Sequence, residues 1–260
     1  PARRECLSDM AATQPRFDAI DALRGAAMLW MTAYHFAFDL NHFGHIRQNF
    51  YEDPVWTWQR TGIVSLFLLC AGMGQVVAVQ RGQGWSPLAR RWAQVAGCAA
   101  LVSLGSLWMF PRSWISFGVL HGMAVMLLVT RWALVRGWLR GAVPWLAGAA
   151  LIAAAPLLGA ALRTQAPAAM AAAFDSRWLN WLGVVTLKPP TEDWVPLLPW
   201  LGVMWLGVGL MQWPTGRGWL ARPPGAVGRA LAPLGRWSLS YYMLHQPVLI
   251  GALMAWAALR

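Results

Sequence analysis

Residues 142–161 read AVPWLAGAALIAAAPLLGAA, twenty consecutive positions without a charged, hydroxyl or amide side chain. As a helix rising about 1.5 Å per residue, that run is about 30 Å long, which matches the hydrocarbon thickness of a bilayer. Its alanines and glycines permit close contact between helices, so it reads as scaffold. Six further apolar segments of comparable length lie at roughly 20–40, 61–80, 92–110, 115–135, 197–213 and 237–259. The expectation is therefore an all-α polytopic membrane protein with about seven transmembrane helices in one bundle. Residues 1–19 are expected to form a cytoplasmic tail and 20–260 the membrane domain.

Composition supports this. Of 260 residues, 58% are hydrophobic and 12% charged, against about 25% charged in soluble domains, and mean hydropathy is +0.43. With 19 Trp and 12 Met the chain has ample apolar surface to bury, which excludes disorder. The net charge of +11 invites a nucleic-acid reading. That reading fails because the arginines fall between apolar runs and form no basic helix face or aromatic platform.

Counted on alternate sides of the seven expected spans, Lys and Arg divide fourteen to seven, with the excess on the N-terminal side. Basic residues are retained in the cytoplasm, so the N-terminus is expected there and the C-terminus outside. The opening PARREC lies far from the first apolar run at Ile20 and no A-x-A site follows it, so the first span reads as a retained helix rather than a cleaved signal. Cys6, Cys70 and Cys98 have no metal-ligand spacing, and Cys70 and Cys98, inside apolar runs, read as packing residues. The connection 162–196, with Pro167, Pro189, Pro190 and the acids Asp175, Glu192 and Asp193, is expected to cover the outer face.

Ionisable residues inside a membrane cost roughly 2.5–3.5 kcal/mol each near a helix centre on insertion scales, so each calls for a partner or a task. The first span, IDALRGAAMLWMTAYHFAFDL, holds the densest set. His35 follows Arg24 by eleven residues, which is about 20° short of three turns and about 16 Å along the axis, so both share a face. Asp39 follows His35 by four, a spacing at which its carboxylate could orient the imidazole as a general base needs. The alternative is that the pair serves only to neutralise a buried polar cluster.

In GRWSLSYYMLHQPVL, Ser238, Tyr241, Tyr242 and His245 recur at three- and four-residue spacings, with Gln246 beside them. Pro247 frees the Met243 carbonyl, which could line a polar cavity. A proline-kinked helix with interfacial aromatics fits the same residues. His121, alone on an apolar helix, reads more readily as a packed, hydrogen-bonded residue than as a substrate contact. Glu192 and Asp193 precede a helix start, where the dipole favours negative charge, so helix capping competes there with substrate binding. His42, His45 and Asp53 in the outer loop match no strong metal pattern, and no metal is expected.

Taken in order, RFDAIDALRGAAMLWMTAYHFAFDL, FGVLHGMAV, EDWVPLLPWLGVMWLGVGL and LGRWSLSYYMLHQP resemble the bacterial members of the heparan-α-glucosaminide N-acetyltransferase catalytic-domain family. The resemblance covers nearly the whole chain. The Arg-Gly near the start of the first helix, with a His eleven residues after the Arg, is also similar to the broader membrane acyltransferase superfamily. It implies a multi-helix enzyme of the bacterial inner membrane that moves an acetyl or acyl group from acetyl-CoA to a sugar or glycan acceptor across the bilayer. By that motif His35 corresponds to the superfamily's catalytic histidine and Arg24 to its first-helix arginine. The lysosomal enzyme of the family differs, with asparagine at the position of His35 and its proposed catalytic histidine in the following luminal loop, where this chain has His42 and His45.

On the acyltransferase reading the catalytic candidates are His35, Asp39 and His245. Arg24, Tyr241, Tyr242, Gln246, Glu192, Asp193 and His121 are candidates for binding substrate, and Arg24 and Arg236 for binding the phosphates of CoA. The competing reading is a proton-coupled transporter or lipid-linked glycan flippase, in which His35, Asp39 and His245 relay protons without covalent chemistry.

Overall fold

The structure is a computed structural model and describes residues 17–191 and 193–259. Most of the expected tail and Glu192 therefore lie outside the described residues. Within them the chain forms ten α-helices and no strand: α1 (Asp18–His42), α2 (Pro54–Gln80), α3 (Trp85–Met109), α4 (Val119–Val135), α5 (Val143–Gln165), α6 (Ala168–Asp175), α7 (Leu197–Gln212), α8 (Pro214–Ala221), α9 (Ala226–Arg236) and α10 (Ser238–Ala258).

All seven expected apolar segments fold as helices, yet only α2, α3 and α5 are long and apolar enough to cross a membrane by length and composition. The expected count of seven spans is therefore not reproduced. Helices α4 and α7 are apolar but shorter, with 17 and 16 residues. Helices α1 and α10 carry most of the polar side chains of interest.

Local signals explain the ends that matter for the site. Asp18 and Asp21 in the first turn of α1 complement the helix dipole. The helix stops where Gly44 adopts φ of 78°, allowing the His45 N–H to return to the Leu40 carbonyl at 2.9 Å. Asp53 then caps α2, its carboxylate accepting from the Val55 N–H at 2.8 Å with Pro54 in the first turn. Asp53 is thus spent on helix initiation.

The main departure from expectation is residues 214–236, which lie between the expected segments 197–213 and 237–259 and carry no expected element of their own. They form α8 and α9, because Leu220 and Ala232 turn inward and are buried while the arginines turn out. Helix α9 lies against α1 at backbone distance: a Cβ at Gly25 would overlap the Leu231 carbonyl, and one at Gly235 the Asp21 carbonyl. The largest core cluster joins Ile20 of α1, Cys70, Met73 and Val76 of α2, Ala133 of α4 and Val208 and Met211 of α7 to Leu220 of α8. A second cluster of Met28, Met31, Tyr34, Phe50 and Ile63 packs beneath Tyr241 and Tyr242 of α10. It forms the apolar floor of the polar cluster described next.

Candidate active site

The polar faces of α1 and α10 meet. On α1, Thr32, His35 and Asp39 recur at three and four residues. On α10, Tyr241, His245 and Gln246 answer them in the same order, so the two helices run parallel. The Thr32 hydroxyl donates to the Met28 carbonyl at 2.8 Å, which leaves it to accept the Tyr241 phenol proton at 2.7 Å. The His35 and His245 rings meet edge to face with centroids 5.1 Å apart, and Tyr241 stacks on His245 at 6.0 Å. The Gln246 amide donates to Asp39 Oδ1 at 2.7 Å.

The His35–Asp39 hydrogen bond expected from the i,i+4 spacing is not formed. The Asp39 carboxylate turns to α10, because an amide donor from a neighbouring helix reaches it there. His35 turns to the His245 ring instead. The orienting contact a base needs is found on the other histidine: His245 Nδ1 lies 2.7 Å from the Tyr242 carbonyl. A carbonyl only accepts, so Nδ1 carries the proton and Nε2 presents a lone pair.

Among the described residues, three buried acceptor atoms in this cluster have no hydrogen-bond partner: His245 Nε2, Asp39 Oδ2 and Gln246 Oε1. Asp39 is 3% exposed and His245 8%. Unsatisfied buried acceptors cost about 1–3 kcal/mol each, so their concentration in one place calls for an explanation, of which a donor-rich ligand is one. His35 is only partly buried and offers a route in.

The other candidates fall elsewhere. The Gly118 N–H donates to His121 Nδ1 at 3.2 Å, and the Ser103 hydroxyl, donating to the Ile115 carbonyl, accepts from His121 Nε2 at 3.1 Å. Both ring nitrogens are therefore occupied, and His121 acts as the acidic residue of a capping box does at the start of α4. Asp193 accepts from the Val119 N–H at 2.8 Å and caps the same helix from 74 residues away. The sequence expectation placed it at the start of its own helix. At the end of α1 His42 meets Phe43 at 5.6 Å, and in the connection to α2 His45 meets Trp256 at 4.9 Å.

Burial pushes the Asp193 carboxyl up to about 6, against the opposing pull of the Val119 N–H and the charges of Arg60 and Lys188. A folded-state value above the usual one means that this group's favourable contribution to stability is present below about pH 4 and is lost as pH rises through about 6. The Asp193→Asn variant imitates the protonated acid. It is expected to melt at or above the wild-type temperature at pH 7.5 and to match it at acid pH. A clear loss at pH 7.5 alone would show that the helix start needs the charge.

At the start of α1, Arg24 Nη1 donates to Asp21 Oδ1 at 3.1 Å and points at the Gly235 carbonyl at 3.5 Å. Arg236 Nη2 donates to Asp18 Oδ1 at 2.9 Å, with its Nε 3.6 Å from Asp21 Oδ2. The two arginines singled out for phosphate binding thus fasten α9 to α1, and their charges are partly balanced by two carboxylates. Sequence reasoning missed Thr32, although its three-residue spacing to His35 on a face already carrying Asp39 was a usable signal.

No curated protein and no solved structure gives a significant match to the chain. The sequence pattern of the family described as "Heparan-alpha-glucosaminide N-acetyltransferase, catalytic" matches residues 16–247. That span contains both arms of the polar cluster and the arginine pairs beneath it, and on this match the chain belongs to the heparan-alpha-glucosaminide N-acetyltransferase catalytic-domain family of membrane acetyltransferases.

Proposed function

We propose that the protein transfers an acetyl or acyl group from acyl-CoA to a hydroxyl or amine of a sugar or glycan acceptor, and that the α1–α10 cluster is where this happens. One observation carries the reading: two histidines in ring contact, one with its tautomer set by a backbone carbonyl, stand among three unsatisfied buried acceptor atoms. His35 meets the acceptor, and His245 shares the proton with it. Asp39 Oδ2 and Gln246 Oε1 receive hydrogen bonds from the acceptor's remaining hydroxyl or amine groups. As the acceptor heteroatom bonds to the thioester carbonyl carbon, its proton passes to the histidine pair. The C–S bond breaks, and the departing thiolate takes up a proton.

The donor approaches from the end of the bundle where α1 begins, on the side with more basic residues, which this reading makes cytoplasmic in a bacterial inner membrane. Arg24 and Arg236 fit its phosphates only as shared ligands, since Asp18 and Asp21 already engage them. Arg91 of α3 lies within electrostatic reach of Arg24 and adds uncompensated positive charge there. Arg24 and His35 are about 16 Å apart along α1, so the donor arm must thread between α1 and its neighbours.

The test is incubation of the purified protein in nanodiscs with labelled acetyl-CoA and a panel of amino sugars and glycans. Label is expected on an acceptor. Proton-coupled uptake in proteoliposomes with no transfer to any acceptor would instead establish the transporter reading.

A further inference from the structure

We infer that the outward face of α8 and α9 binds the headgroups of anionic phospholipids. Its inward residues are accounted for: Leu220 is buried in the main core, and the α9 backbone lies on α1 at Leu231 and Gly235. The outward residues of the two helices and of the positions that flank them are of two kinds. Arg217, Arg222 and Arg229 are exposed, and Trp213, Trp219 and Trp237 are 56%, 58% and 73% exposed. Tryptophan beside arginine is the pairing that sits at headgroup level, the indole among the upper chains and the guanidinium on phosphate.

The charge balance selects the lipid. From Trp194 to Arg260 the sequence contains no Asp or Glu. The acids at this end of α1, Asp18 and Asp21, are engaged by Arg24 and Arg236. Among the described residues no carboxylate pairs with Arg217, Arg222 or Arg229. Arg229 donates one hydrogen bond to the Pro224 carbonyl at 3.2 Å, which fixes the guanidinium without neutralising it. Three outward cations without protein anions match a phosphodiester surface of net negative charge. A zwitterionic headgroup, whose choline offsets its phosphate, does not satisfy them equally.

A basic residue at such a surface favours anionic lipid by about 1 kcal/mol, a factor of about five. The experiment is native mass spectrometry of the full chain in detergent with phosphatidylglycerol and phosphatidylcholine in equal amounts. Wild type is expected to retain phosphatidylglycerol preferentially. The Arg217→Gln/Arg222→Gln/Arg229→Gln variant should lose that preference by about tenfold or more, and the corresponding triple lysine variant should keep most of it. Should the glutamine variant fail to fold, high salt applied to wild type serves instead and should suppress the preference, because exposed charges are screened. An unchanged preference in the glutamine variant, or no salt dependence in wild type, overturns the inference. Loss of coenzyme A retention with the phosphatidylglycerol preference intact would assign these arginines to the soluble phosphate instead. None of the three belongs to the proposed transfer site, so lipid selectivity and acyl transfer are separately falsifiable.

Discussion

Replacing His35 by alanine is expected to lower acyl transfer by about 10²- to 10⁴-fold, the range a positioned general base contributes, while the protein still inserts and folds. The structure separates these two outcomes. A His35 hydrogen-bonded to Asp39 would, when removed, leave a buried carboxylate unpaired and destabilise the protein. Here Asp39 Oδ1 is held by Gln246 from α10, so losing the imidazole leaves the carboxylate with the partner it has. His35 contacts the rings of Tyr34 and His245, and it is only partly buried. Its truncation should therefore cost little in thermal stability. The Asp39→Asn variant is expected to be milder in activity, because an asparagine Oδ1 still accepts the Gln246 amide. Rates in nanodiscs, set beside melting temperatures of the same preparations, check both. Full turnover in a well-folded His35→Ala protein would move the chemistry to His42, at the end of α1, or His45, just beyond it.

The largest effect on stability is expected from Gly25→Val. A Cβ at position 25 would overlap the Leu231 carbonyl, a backbone atom of α9 that cannot rotate away, so α9 must move off α1. Overpacking of this kind costs about 1–3 kcal/mol and occasionally more. The Arg24 and Arg236 contacts would be strained together with it, since both bridge the same two helices. Gly74→Ala in α2 is the control. Nothing lies within 4 Å of its would-be Cβ, so that change should be neutral or stabilising by up to about 1 kcal/mol. In melting curves Gly25→Val should fall below wild type and Gly74→Ala should lie at or above it. A Gly25→Val protein as stable as wild type would show that the α1–α9 contact is dispensable.

The Arg-Gly pair of the first helix shows how far sequence carries and where it stops. Periodicity and apolar run length located every long helix, because those signals are local, but Pro54–Gln80 and Trp85–Met109 each begin seven residues before the expected 61–80 and 92–110. The same reasoning assigned Arg24 to a ligand, since a cation in an apolar helix advertises a function; its ion pair with Asp21 three residues earlier was within reach of spacing, whereas its contact with the Gly235 carbonyl, 211 residues away, was not. Gly25 was legible only as half of the Arg-Gly motif, its packing role lying in the backbone of α9. That helix went unread because four arginines across 217–236 mask a short inward apolar stripe. At the site, residue types were legible and pairings were not: Asp39 with Gln246, His35 with His245 and Asp193 with the start of α4 are tertiary contacts that no spacing along one helix contains.

The central claim is that His35 and His245 act as one proton-transferring unit between α1 and α10. A double-mutant cycle on acyl transfer tests it most directly, with His35→Ala, His245→Ala and the double variant measured in the same nanodiscs with the same acceptor. Groups that act together are strongly non-additive, so the account predicts that the double variant is no slower than the worse single variant, within experimental error. Losses that multiply across the two substitutions, or full activity in either single variant, would contradict it.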